Sequence, residues 1–274
     1  MQTIDASILT QVHKPEAESH KGQNGRVLVI AGSHKYHGAL LLCIQAVSRI
    51  VDMVYVSTTE NNWSLIEALK SDIATFISVK PGELEKTIQL VDSIIIGPGL
   101  ETTNGSGEEV IEENRAFVHD LLKKHSDKKF VVDATALWHV NPDCLHENCI
   151  VTPHSREFEE VFTMTPSAEA TQKAAESFGG VVVLKGKSDF ISDGKKLYEN
   201  TTGNVGMTKG GTGDVLAGII GALAATNDNL TAALAGTYLN GVAGDTLYEN
   251  VGTFYNAEDL VGAVGEVWKD AFYE

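Results

Sequence analysis

Short uninterrupted apolar runs recur along the chain, each followed by a longer stretch whose apolar residues return every three or four positions. The runs at 26–31 (RVLVIA), 53–57, 74–79, 93–96 (SIII), 129–132 and 149–152 predict strands. The stretches at 38–51, 61–70 (opened by an Asn cap), 108–124 and 155–162 predict helices. Runs without polar alternation belong in a parallel sheet covered on both faces. Strand–helix alternation with right-handed crossovers makes that sheet doubly wound, with ligands at the carboxyl ends of its strands. Residues 32–38, 97–99 and 152–157 fall at that edge and are rich in small and polar residues.

The pattern changes after Gly180. A strand at 181–184 precedes two β-prone runs, 190–192 and 196–198, that flank Asp193-Gly194, a hairpin signal that places both central residues at positive φ. From Gly213 the chain is helical, with Val215, Leu216, Ile219, Ile220 and Leu223 on one face, then again at 229–249 and 256–272. The small residues of 232–244 suit packing either inside the chain or between subunits. The expected fold is α/β: a central, mostly parallel sheet with helices on both faces and a small hairpin extension near 190–198. No repeat or polar linker interrupts it, so a single domain over 1–274 is expected. Gly105-Ser106-Gly107 marks a loop ahead of a helix.

Charge narrows the partners. The 274 residues carry 21 Lys+Arg against 37 Asp+Glu, a net −16, which argues against binding nucleic acid over a broad surface. A nucleotide stays compatible, because backbone N–H groups hold phosphate without excess cations. Cys43, Cys144 and Cys149 make no disulfide framework and suit a reducing compartment. The first 21 residues, with Asp5, Glu16 and Glu18, have no apolar core, and no apolar stretch approaches the ~20 residues of a membrane span. A cytoplasmic protein that engages no membrane is expected.

The densest chemical signal is 203–218, GNVGMTKGGTGDVLAG. Glycines leading into a helix N-terminus expose amides to an anion, and Asp214 stands in the first turn. Two readings of Asp214 are open. It caps the helix, or it is a general base beside an anion hole formed by the amides of Gly211, Thr212 and Gly213. Lys209 is either a phosphate ligand or a solvated loop lysine. Neither the P-loop pattern nor G-x-G-x-x-G is present.

GGTGD at a helix start, with T-P-H-x-x-E upstream and L-K-G between, resembles the ribokinase-like superfamily. Within it the chain is similar to the ADP/ATP-dependent NAD(P)H-hydrate dehydratases. Seven segments match in the family's order: 21–33, 36–39, 94–100, 131–137, 152–158, 181–189 and 202–218. The resemblance implies nucleotide-dependent removal of water from the 6-hydroxy form of NADH or NADPH. The ring hydroxyl is phosphorylated, with Asp214 as base, and phosphate is then eliminated. It also implies Mg²⁺, ADP (or ATP) as co-substrate with ADP favoured by the short form, and a homo-oligomer, a tetramer.

Residue by residue, the resemblance assigns Lys185, Gly186, Lys187, Ser188 and Asp189, with Asn204, Gly210, Gly211, Thr212 and Gly213, to the adenine nucleotide. It assigns Ala39, Gly99, His154 and Asp214 to the hydrated dinucleotide. Plain alternatives stand beside these: packing for Ala39, a turn for Gly99, a backbone hydrogen bond for His154. The N-x-x-E spacing of related sugar kinases places Glu157 in the outer shell of a nucleotide-bound Mg²⁺; the alternative is a Glu complementing a helix dipole. Thr135, Ser155, Arg156, Thr201 and Val205 depart from the family pattern. The rival functions are an ATP-dependent kinase of a small vitamin precursor or sugar, and a nucleotide-binding protein without catalysis.

Overall fold

The computed structural model describes residues 1–71, 73–101 and 108–273. The strands are β1 (Gln2–Thr3), β2 (Arg26–Ile30), β3 (Met53–Ser57), β4 (Ile77–Ser78), β5 (Ser93–Ile96), β6 (Lys129–Val132), β7 (Cys149–Val151), β8 (Val181–Leu184), β9 (Asp189–Ser192) and β10 (Leu197–Asn200). The helices are α1 (His37–Val47), α2 (Trp63–Leu69), α3 (Leu84–Leu90), α4 (Glu108–Lys124), α5 (Thr135–His139), α6 (Ser155–Phe162), α7 (Ala168–Phe178), α8 (Thr212–Ala224), α9 (Asn229–Val251) and α10 (Ala257–Tyr273).

Among the described residues the strands form one sheet in the order β1-β10-β9-β8-β7-β6-β5-β2-β3-β4. From β2 to β8 every pairing is parallel; β9 is antiparallel to both of its neighbours. The chain runs outward from β2 through β3 to β4, then returns to the other side of β2 for β5 to β8. The order therefore reverses between β2 and β5, and crevices for ligands open at such a point.

Successive residues of a strand face opposite ways, and here both faces are covered. Val27 and Val29 join Ile95, Val131 and Ile150 under α1, α8, α9 and α10. Leu28 and Ile30 join Ile94, Ile96, Phe130 and Val132 under α3 to α7. Each fully buried Val, Leu or Ile contributes about 1.5–3 kcal/mol relative to exposure, so the unbroken runs have a physical cause. The small residues of α9 are consumed within the chain: Gly236 packs on Ile220, Gly241 on Thr202 and Gly244 on Met207. No helix among the described residues is long and apolar enough to cross a membrane.

The structure corrects several boundaries. Strand β4 is two residues long, and α1 ends at Val47 because Arg49 and Ile50 turn back to Ala46 and Val47 through tighter i→i+3 bonds. Ahead of α2 lies a 3₁₀ turn, Glu60–Asn62, and Asn62 makes no capping bond. The hairpin loop has four residues, since Ser192 pairs with Leu197. Only Gly194 has positive φ (83°), while Asp193 Oδ1 accepts from the amides of Lys195 and Lys196. The expected loop at Gly105-Ser106-Gly107 lies outside the described residues. Periodicity missed α3, α5, α7 and β1. Helix α7 (AEATQKAAESF) buries only Ala and Thr, and local devices delimit it instead, a Ser167 cap and Gly179 at φ 76°.

Gly97 is where the fold tolerates no side chain. Its φ is 125°, and a Cβ there would lie 1.8 Å from the Asp133 carbonyl oxygen. Gly97→Ala is expected to cost roughly 3 kcal/mol or more in urea unfolding. Gly262→Ala, in open space within α10, is expected to be neutral or stabilising by up to about 1 kcal/mol.

Candidate active site at the carboxyl edge of the sheet

Five neighbouring strands end along one edge and deliver the site. Lys185 follows β8, His154 comes shortly after β7, Asp133 follows β6, Gly97-Pro98-Gly99 follows β5, and Gly32 and Ser33 come after β2. A parallel bridge between His154 and Lys185 carries the sheet one step further. The Gly32 amide donates to Pro98 O (2.7 Å), tying together the loops that follow β2 and β5 at the floor of the crevice between them. There Gly99 and Ala39 meet: a Cβ on Gly99 (φ 68°) would lie 2.9 Å from the Ala39 Cβ and 2.3 Å from Tyr36 O.

The centre of charge is Lys185. Its Nζ donates to Asp133 Oδ1 at 2.8 Å, and Thr152 Oγ1 donates to the same oxygen at 2.7 Å. Asp133 is 1% exposed. The next residue, Ala134, has φ 49° and ψ −124°, a conformation costing on the order of 1–3 kcal/mol in a residue with a Cβ. Burial works to discharge Lys185, but Asp133 and then Glu157 outweigh it and keep the ammonium. Nζ also lies 3.6 Å from where a Gly213 Cβ would be, against the start of α8.

Asp214 stands third in α8, whose N-cap is Gly211 at φ 99°. The capping role is not filled: among the described residues its carboxylate accepts no hydrogen bond. Burial, then the Asp133 charge, push its pKa up to about 7, against the pull of Lys185. The Thr212 amide turns back to Lys209 O at 3.5 Å, whereas those of Gly211 and Gly213 have no partner among the described residues. Four glycines of the rich segment precede the helix, and Gly213 lies inside it.

Glu157 is 4% exposed and caps α6 reciprocally with His154. Its Oε2 accepts from the His154 amide (2.8 Å), and its own amide donates to His154 Nδ1 (3.2 Å). Burial raises this carboxyl to about 7. Burial, then Lys185, lower the His154 imidazole, which is neutral near pH 7. Trp138, from the missed helix α5, meets His154 edge-on at 6.4 Å and is 40% exposed. An aromatic residue five positions past Asp133 was the available signal.

A cavity of about 730 Å³ opens beside Lys185. Lys185, Gly186, Lys187, Ser188, Asp189, Asn204, Thr212 and Gly213 all line it, while Gly210 and Gly211 do not. Asp189, its pKa raised by burial, braces the loop by accepting from the Gly186 amide (3.0 Å) and Asn200 Nδ2 (3.1 Å). Asn204 is likewise spent on structure, bound to Gly206, Tyr255 and Asp245. Asp245 also accepts from the Gly203 amide (2.9 Å), a role no local pattern announces. Lys209 donates to the carbonyls of Thr253 and Tyr255, so it is a strut to the α9–α10 loop. All three cysteines are free and buried. Among the described residues no three His, Cys, Asp or Glu side chains could hold a metal ion directly; the acids near Lys185 fit an ion reached through water.

Residues 27–264 match the family model for NAD(P)H-hydrate dehydratase. The chain is 33% identical to the ADP-dependent (S)-NAD(P)H-hydrate dehydratase of Nitrosopumilus maritimus, over 93% of this chain and 92% of that protein. It is 35% identical to the bifunctional NAD(P)H-hydrate repair enzyme of Methanocaldococcus jannaschii, over 95% of this chain but 51% of that protein. It thus spans about half the length of the first curated relatives it matches. Among solved structures, the ADP/ATP-dependent NAD(P)H-hydrate dehydratase of Bacillus subtilis, co-crystallised with ATP/Mg²⁺, superposes with a TM-score of 0.80 at 27% identity over 98% of both chains.

An acid titrating near 7 when folded and near its ordinary ~4 when unfolded holds its proton more tightly in the folded state. Its contribution to stability is present at low pH and is lost as pH rises toward 7. Asp214→Asn is therefore expected to stabilise the protein by on the order of 1–3 kcal/mol at pH 8 and by little near pH 4.5. Denaturant melts at the two pH values check it.

Proposed function

The chain belongs to the NAD(P)H-hydrate dehydratase family, and from that membership we propose that it restores hydrated NADH or NADPH at the expense of ADP or ATP. The observation that carries the proposal is the Asp214 carboxylate. It is partly buried, accepts no hydrogen bond from the described residues, titrates near neutrality, and is flanked by free helix amides and the Lys185 ammonium. A base for a hydroxyl needs such a pKa, and a transferring phosphoryl group needs amides and a cation.

In this mechanism the adenine nucleotide occupies the cavity lined by 185–189, Asn204, Thr212 and Gly213, its terminal phosphate directed to Lys185 and the start of α8. The hydrated nicotinamide enters the crevice between β2 and β5, against Ala39, Gly99 and His154. Asp214 takes the proton of the ring C6 hydroxyl as its oxygen attacks the phosphorus and the nucleotide leaves. Hydroxide is a poor leaving group and phosphate a good one. The C6–O bond then breaks with its electron pair leaving on phosphate, the neighbouring ring carbon gives its proton to water or to that phosphate, and the electrons of the broken C–H bond restore the double bond of the reduced nicotinamide. His154, neutral, hydrogen-bonds the dinucleotide. Mg²⁺ bound to the phosphates would neutralise their charge, with Glu157 reaching its waters. A homotetramer in the cytoplasm, with ADP favoured, completes the proposal; size-exclusion chromatography with light scattering tests the assembly.

Purified protein mixed with hydrated NADH, Mg²⁺ and ADP or ATP is expected to restore the absorbance of reduced nicotinamide; a kinase of a vitamin or sugar would give no recovery. Asp214→Asn is expected to lower kcat by about 10²–10⁴ while nucleotide binding persists. Because Asp214 works deprotonated, activity is expected to fall as pH drops through about 7. Asp133→Asn removes a charge that raises Asp214 and should move that limb to lower pH. Glu157→Gln should weaken the Mg²⁺ dependence of turnover; an unchanged dependence would remove Glu157 from the site.

A further inference from the structure

Among the described residues, Asn240 is the buried polar side chain of the nucleotide cavity that the chain's own hydrogen bonds leave over. It lies on α9, 5% exposed, and lines the cavity with Thr237 and Gly241. Its Oδ1 is buried with no partner, and its amide nitrogen donates to nothing among the described residues. Buried polar groups are nearly always paired, so an orphan in a cavity wall asks for a ligand. The neighbouring polar groups are already committed. Thr237 Oγ1 donates to Ala233 O (2.7 Å), Thr202 Oγ1 to Asn200 Oδ1 (2.9 Å), and the Asn204 side chain is held by Asp245, Gly206 and Tyr255.

The rest of the cavity says which part of a nucleotide comes here. The cations among its lining residues, Lys185 and Lys187, lie on the loop after β8, and the free amides lie at the start of α8. Phosphates gather at that wall. The wall made by α9 and residues 201–208 has no cation, and Val205, Met207 and Leu216 add apolar surface suited to a flat ring. A carboxamide presents a donor beside an acceptor. That pair complements the 6-amino group and N7 of adenine, whereas guanine offers acceptors at both positions.

We propose that Asn240 is the specificity-determining residue for the base, its Oδ1 accepting from the adenine 6-amino group and its amide donating to N7. The proposal rests on the reading of this cavity as the nucleotide site. Calorimetric titration of the full chain with ADP, GDP and 7-deaza-ADP, which lacks only the N7 acceptor, tests it without turnover. The wild type is expected to bind ADP roughly 5- to 150-fold more tightly than either analogue. Asn240→Leu, which keeps bulk without hydrogen bonds, and Asn240→Ala are expected to bind ADP and 7-deaza-ADP equally. Equal binding of ADP and 7-deaza-ADP by the wild type overturns the proposal even if neither variant folds. A variant that folds and keeps the wild-type ratio overturns it too. A wild type that binds no ADP overturns the nucleotide reading of the cavity, and the base assignment with it.

Discussion

One ammonium, Lys185, faces three carboxylates, Asp133, Glu157 and Asp214, at the end of a buried sheet. Three negative charges and one positive charge cannot all be held cheaply out of water. Asp133 takes the direct ion pair. Glu157, buried, and Asp214, partly buried, both near the Asp133 charge, are left titrating near 7. The arrangement sacrifices stability at the edge of the sheet and obtains a carboxylate ready to accept a proton. Functional sites are where such local conflicts are expected.

The sheet makes that imbalance possible. Lys185, His154 and Asp133 come from the ends of three adjacent parallel strands, so their spacing is set by the strand ladder of about 4.8 Å per step. The next strand, β5, is followed by Gly97, whose missing side chain lets the Asp133 backbone approach, and the strained residue Ala134 comes directly after Asp133. Burial on both faces holds the strand ends still. A net charge of −16 does not conflict with an anionic ligand here, because the cavity draws on amides at α8 and two lysines after β8.

The fold was largely legible in the chain. Apolar runs without alternation marked β2, β5, β6, β7 and β8, and their order with intervening helices implied a doubly wound sheet. Elements held by caps or length alone were not legible: α7 is Ala- and polar-rich, α5 is five residues long, and β1 is a two-residue edge; β4 was legible as a strand but not in its two-residue length. At the site, the glycine collar and Asp214 were visible because backbone exposure at a helix start leaves a compositional trace. Asp133, Asp245 and Trp138 were not, since each matters through a partner distant in sequence, and Asn240 was not, since its burial in the cavity wall leaves no local trace.

The sequence by itself determined the layering, the glycine-rich helix start and the residues that resemble a dehydratase, because period, turn chemistry and local spacing are properties of neighbouring residues. It left open whether Asp214 is a cap, whether Lys209 is free, and how 232–244 packs. Only the tertiary structure decided these. It leaves the Asp214 carboxylate without a hydrogen bond among the described residues, ties Lys209 to Thr253 and Tyr255, and turns the small residues of α9 inward. The physical reason is that desolvation and charge pairing depend on what surrounds a group in space. The residues that surround Asp214 come from the ends of β6, β8 and α6, which the chain brings together only when the sheet is complete.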